Sequence, residues 1–263
     1  MKKKNAFTLA EVLITLGIIG IVAAMTLPIL TTEYQKKVTA TKVKKAYVEL
    51  NKVIEMAAAE HGNPSGWQYY EEGNLEQWVR TYIAPYVNNG KVVVCPTTGN
   101  SVCDGVVAMY GLSYNVASNS ANARGGGILL KKGGDTPVWR FYRYSSVYEP
   151  VTRIYVYINL PKNKSRSFAY VGKDVFMFIL DRRESSPVVR PYENGDVNVY
   201  YGKRNVKYNV DRDNLLGKKG NGTWGGCYKN APGGGYWQTG DSCSAVIMKD
   251  GWKIADDYPW RKN

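Results

Sequence analysis

The feature that most constrains this chain is a continuous, predominantly apolar run from Phe7 to Leu30 that carries a single acid, Glu11. At about 1.5 Å per residue, its 24 residues would make a helix of roughly 36 Å, enough to cross a hydrocarbon core of ~30 Å with some tilt. Lys2, Lys3 and Lys4 precede it, an arrangement that holds the amino end on the cytoplasmic side. Three uses of such a segment compete. A secretory signal has an apolar core of about 7–15 residues with a small-residue cleavage site behind it. Ala23 and Ala24 offer such a site, but the run is too long and contains an acid. A plain anchor fits the length and leaves Glu11 unexplained, because a carboxylate near the middle of a membrane helix costs about 2.5–3.5 kcal/mol, less towards an end. An acid kept in that place points to a partner, and so to a docking element.

The residues Ala6-Phe7-Thr8-Leu9-Ala10-Glu11, followed by an apolar helix, resemble the prepilin signature of type IV pilins and type II secretion pseudopilins. The resemblance implies cleavage between Ala6 and Phe7 by a membrane-embedded prepilin peptidase, with N-methylation of Phe7. Ala6 stands where the family more often has Gly. Glu11 then becomes the fifth residue of the mature chain, the position family members use for assembly. Gly20 and Pro28 match the stretch that loosens in related filaments, although Gly and Pro are in any case commoner in membrane helices. The implied partners are prepilin peptidase, identical or related pilin subunits, an inner-membrane assembly platform and membrane lipid. The implied location is a single-pass inner-membrane protein with its C-terminal domain outside, which then enters a pilus or pseudopilus fibre.

The pairing logic is physical. A free amine on Phe7 would sit at the positive end of a helix dipole, and Glu11 of an adjacent subunit could neutralise it. Such a buried pair need not stabilise strongly, but leaving one partner alone is costly, so the acid specifies register.

Beyond the span, Val43, Tyr47, Leu50, Ile54 and Ala57 recur at three- and four-residue spacing, which predicts that the helix continues with one apolar stripe against a sheet. Lys36, Lys37, Lys42, Lys44 and Lys45 are read as its solvated face. His61-Gly62 and Asn63-Pro64 supply stop signals. A short helix is predicted at Leu75–Ile83. Strands are predicted at Lys91–Cys95, Val106–Val116, Gly127–Lys132, Val138–Tyr144, Thr152–Leu160, Asp174–Leu180, Val197–Tyr201 and Ala245–Lys253. The expected fold is α+β and pilin-like: a long amino-terminal helix, membrane-spanning in its first half, packed on a mainly antiparallel sheet. The expected organisation is a basic leader (1–6), a filament-core helix (7–30), its amphipathic continuation (31–61) and a β-rich globular domain (62–263).

Two further stretches resemble a subset of pilin-like proteins. One is Ile154–Asn159 leading into Val171–Phe178, where relatives carry an Asp-x-Asn-Gly loop before a Gly-x-Asp-Val-Phe strand. Tyr157 and Leu160 replace the acid and the glycine, which removes the basis for a loop-bound cation. The other is the closing segment Cys243–Lys253 with Asp257-Tyr258-Pro259-Trp260.

Four cysteines in an exported chain favour disulfides and allow three pairings. Short loops close at the lowest entropy cost, so Cys95–Cys103 and Cys227–Cys243 are expected. Zinc has neither a CxxC nor a second histidine to use. His61 is the sole histidine and is read as an exposed residue at a helix end, which leaves a Ser/His/Asp triad little to build on. No phosphate-cradling loop is present. The acid pairs Glu71/Glu72, Asp211/Asp213 and Asp256/Asp257 read as charged surface loops. Calcium comes only from resemblance to some pseudopilins, and Asp211–Asn214 lacks the Gly and closing Glu of a calcium loop. No metal, cofactor or enzymatic activity is therefore expected.

Lys and Arg number 35 against 22 acids, with three of the lysines in the leader. Such a surface can attract DNA, anionic lipid or acidic polysaccharide, and is also what keeps a domain soluble. Tyr69/Tyr70, Tyr200/Tyr201 and Trp237 could stack on glycan or single-stranded nucleic acid, though strand propensity and core packing explain most of the aromatics. The expected function is a structural subunit of a type IV pilus or type II secretion pseudopilus. The alternative is a minor pilin acting as an adhesin or as a DNA-binding subunit in uptake.

Overall fold

Leu9–His61 form one continuous helix of 53 residues, α1, in the computed structural model. At 1.5 Å per residue it is roughly 80 Å long. It stops where the sequence directs: Gly62 takes φ +76°, a conformation that costs a residue without a Cβ little. The structure describes residues 8–67, 75–95, 108–110, 127–131, 138–142, 151–160, 168–181, 188–193, 210–218, 226–228 and 240–260. The expected strand Val197–Tyr201 and the residues Tyr69, Tyr70, Glu71, Glu72 and Trp237 lie outside these.

The two halves of α1 have different fates. Thr39, Ala40, Val43, Ala46, Leu50, Val53, Ile54 and Ala57 are buried, one stripe at helical spacing, and they pack on the globular domain. From Leu9 to Leu30 no residue of the helix is buried.

The domain is built on an antiparallel sheet of β1 (Lys91–Cys95), β3 (Gly127–Lys131), β4 (Val138–Tyr142), β5 (Val151–Tyr157), β7 (Val175–Asp181) and β8 (Val188–Pro191), in that spatial order. A second, parallel pair joins β2 (Ala108–Tyr110) to β6 (Phe168–Tyr170). Register stacks one side chain per strand into rows. On the helix side, Leu130, Trp139, Val156 and Phe176 align, as do Ile128, Phe141, Ile154 and Phe178. These rows join the α1 stripe in one core. The opposite face buries Leu129, Tyr155, Met177 and Ile179 with Ala169 and Val171, and there the Arg140 guanidinium lies 5.3 Å from the Tyr157 ring centre. Both faces are covered, so every residue of β7 is buried.

Helix α2 (Leu75–Tyr82) packs Trp78 against Phe141, with ring centres 6.4 Å apart. At β8, the last of the described strands in the sheet, Asn51 of α1 accepts a hydrogen bond from the Val189 amide at 3.3 Å. The chain closes with α3 (Arg212–Leu215) and α4 (Cys243–Lys249), which lies on β7.

The sequence predicts a strand at Ala245–Lys253, and the structure corrects it: Cys243–Lys249 is helical. Cys243, Ser244, Ala245, Val246 and Ile247 are all buried, and a short, wholly buried run shows neither the helical nor the alternating period. The Ser244 hydroxyl donates to the Met177 carbonyl, seating the helix on the sheet. The remaining predicted elements that fall on described residues are present, with Val106–Val116 reduced there to Ala108–Tyr110.

Candidate functional site

The amino-terminal half of α1 is the candidate site. Over its most apolar window the mean hydropathy is 2.4, and none of that window is covered by the rest of the chain. Leu9 is 81% exposed and Met25 68%. A helix this apolar on every side requires lipid or other helices around it.

Thr8 caps the helix. Its hydroxyl accepts from the Glu11 amide at 3.3 Å, and its own amide and hydroxyl each donate to Glu11 Oε2 at 2.8 Å. This reciprocal capping box satisfies amides that have no intrahelical acceptor. Beside the docking role expected from the sequence, the Glu11 carboxylate serves its own helix start. Ala6 and Phe7 lie outside the described residues.

Gly17 and Gly20 present bare backbone, with nothing within 4 Å of where a Cβ would sit. Pro28 lies inside the helix, which runs through it unbroken. Proline brings no amide to the ladder, and the Thr31 and Thr32 hydroxyls donate to its carbonyl at 3.0 and 2.8 Å.

Just beyond the run, the lysines divide. Lys37, Lys44 and Lys45 are exposed, as expected. Lys36 is half-buried, bonded to Glu33 at 2.7 Å and within 3.5 Å of Asp256 in the C-terminal tail. The hydrogen bond that it donates to Glu33 raises its pKa above the usual lysine value. Lys42 donates to the Ile158 carbonyl at 3.3 Å and to Asn159 Oδ1 at 2.9 Å. Its ammonium thus takes up oxygens of the loop where relatives carry the Asp-x-Asn-Gly pattern.

Cys227 and Cys243 form a disulfide, in agreement with the expected pairing. Cys95 is also disulfide-bonded, and its expected partner Cys103 lies outside the described residues. Among the described residues no group of three or more His, Cys, Asp or Glu is placed to hold a metal ion. His61 ends α1, exposed, with its ring edge-on to Tyr82 and Tyr86. The acid pairs near the C-terminus are on the surface but engaged. Arg212 binds Asp250 and Asp257, and Lys218 reaches Asp257 at 2.6 Å. No local pattern announces this cluster, because Arg212 and Asp257 are 45 residues apart.

Residues 1–27 match the prokaryotic N-terminal methylation motif. Together with a long amino-terminal helix leading into an antiparallel domain, the motif defines a type IV pilin-like protein, processed by prepilin peptidase and assembled with other pilin subunits. More specifically, the chain belongs to the family described as "Family of unknown function (DUF6613)", matched over residues 29–262. No curated protein and no solved structure matches it.

Proposed function

We propose that this chain is a structural subunit of a type IV pilus or a type II secretion pseudopilus, polymerised through the first half of α1. The observation behind this reading is the contrast within one helix: between Thr39 and Ala57 one stripe is buried in the chain's own domain, whereas from Leu9 to Leu30 no residue is buried. In this reading residues 1–6 are removed, Phe7 becomes the methylated end, residues 7–30 span the membrane and later line the fibre core, and residues 31–61 carry the globular domain of residues 62–263. Glu11 neutralises the amine of a neighbouring Phe7, and the stretch from Gly20 to Pro28 is where the helix can loosen in the fibre. The subunit waits in the inner membrane with its domain outside, and an assembly platform moves it into the filament. Its role is mechanical, without catalysis.

Mass spectrometry of the mature amino terminus from membranes tests this. N-methyl-Phe7 supports the reading, and a start near Ala24 makes the protein a secreted product instead. Without the three leader lysines 32 basic residues face 22 acidic ones, and the remaining formal charge of +10 favours a second role, binding DNA or an acidic glycan as a minor subunit. That role requires salt-sensitive binding.

A further inference from the structure

A cavity of about 260 Å³ opens between α1 and the C-terminal tail, walled by Tyr34, Gln35 and Thr39 on the helix and by Lys173, Asp174 and Trp260 opposite. Its place along α1 is informative. At about 1.5 Å per residue, Tyr34 stands roughly 6 Å and Thr39 roughly 14 Å beyond Leu30, where the apolar run ends. The headgroup regions extend a bilayer from ~30 Å of hydrocarbon to ~40–45 Å in all, so the cavity mouth lies in or just above that layer. Tyr34, 70% exposed, and Trp260 are residue types that favour this depth.

The wall carries both signs of charge. Lys173 and Asp174 are 6% and 3% exposed. The Lys173 ammonium lies 5.7 Å from the centre of the Trp260 ring, and Asp174 Oδ2 accepts the Tyr170 amide at 3.1 Å. Both are already engaged by the protein; a carboxylate offers about four acceptor positions and an ammonium three donors. The volume is below the roughly 300–1,000 Å³ of a drug-sized site, which suits a small polar group.

We propose that this cavity holds the phosphoethanolamine headgroup of a membrane phospholipid while the subunit is anchored. The phosphate faces Lys173 and the Thr39 hydroxyl, and the primary ammonium donates to Asp174. The acyl chains descend along the exposed apolar side of α1. A choline headgroup has no N–H to give Asp174, and a glycerol headgroup brings no cation. The inference rests on the reading that residues 7–30 span the membrane.

The test uses the full chain in nanodiscs of equal phosphatidylethanolamine, phosphatidylglycerol and phosphatidylcholine, released into mild detergent for native mass spectrometry. The expected result is one phosphatidylethanolamine kept per chain, with a preference of roughly tenfold, the equivalent of about 1.4 kcal/mol. Asp174→Asn, which removes the charge that receives the primary ammonium, should abolish the preference, and Tyr34→Ala, at an exposed position that does not threaten folding, should weaken it severalfold. Equal retention of the three lipids overturns the proposal, as does a preference that survives both substitutions. If Asp174→Asn fails to fold, Tyr34→Ala decides alone. Displacement of the lipid by free phosphoethanolamine at equal concentration would make the ligand a soluble zwitterion and overturn the lipid assignment. A chain that never enters the nanodisc instead removes the anchor reading, a distinguishable failure.

Discussion

Arg212 Nη2 and Nη1 donate to the two carboxylate oxygens of Asp257 at 2.7 and 2.9 Å, a two-pronged bond between α3 and the C-terminal tail. The same guanidinium turns its other edge to Asp250 just past α4, with Nη2 to Oδ2 at 2.8 Å and Nε to Oδ1. One planar cation therefore fixes the relative positions of three chain segments, a geometry that lysine cannot reproduce. Near this clamp, Cys227–Cys243 ties the segment after α3 to the start of α4. The tail that carries Trp260 to the base of α1 is thus anchored by covalent and ionic means.

Arg212→Met should destabilise the domain by about 2 kcal/mol. Removing one member of a fully buried pair costs about 3–5 kcal/mol, and water partly screens this site, where the side chain is 25% exposed. For a domain of this size that corresponds to a melting-temperature fall of roughly 4–8 °C, readable by calorimetry. A fall under about 1 °C would show that the clamp is a surface ornament.

Asp257 makes the clamp pH-sensitive. The hydrogen bonds from Arg212, then from Lys218, hold its carboxyl well below the usual range. A depressed folded-state pKa contributes stability that is present above the unfolded value, about 3.9 for Asp, and is lost as pH falls through the folded value. Wild type should therefore lose this contribution only below about pH 4. Asp257→Asn should be less stable than wild type at pH 7, and the gap between the two should close in acid. A gap that stays constant from pH 7 to pH 2 would contradict the assignment.

The disulfide should carry comparable weight. A cross-link over a sequence separation of 16 residues restricts the unfolded chain by about 3 kcal/mol on the loop-entropy estimate. Replacing Cys227 and Cys243 together by Ala should lower the melting temperature by roughly 6–12 °C while leaving the amino-terminal span untouched. Membrane fractionation would then find the variant still anchored. Loss of anchoring would mean that the domain and the span depend on each other more than the structure implies.

What was legible in the sequence follows from where the physics is local. The α1 stripe shows because Val43, Leu50, Ile54 and Ala57 repeat with the helix, and its end shows because Gly62 needs a positive φ. β5 and β7 were visible as β-branched and aromatic runs. α4 was misread because five successive buried residues erase the period. β8 went unpredicted because Pro187 precedes it and Pro191 ends it, and among the described strands β8 lies at the edge of the sheet, where proline is tolerated. The exposed apolar run and Glu11 were readable from residue types alone. The Arg212 clamp and the Lys36–Asp256 contact, 220 residues apart in sequence, depend on tertiary proximity that no short pattern encodes.

Glu11 now has two duties, and one pair of substitutions separates them. Its carboxylate closes the capping box with Thr8, and in the proposed fibre it also neutralises a neighbour's amine. Carboxylates offer about four acceptor positions, so the amine can bind without displacing Thr8. Glutamine can fill the same place in a capping box but carries no charge. Glu11→Gln should therefore be cleaved, keep its helix start and still fail to assemble. Thr8→Ala should do the reverse, losing about 1 kcal/mol of helix-start stability yet forming some fibres. Sheared-fibre yield, with amino-terminal mass spectrometry as the control for cleavage, reads both outcomes. Normal fibres from Glu11→Gln would mean that the cap, not the charge, is what assembly requires.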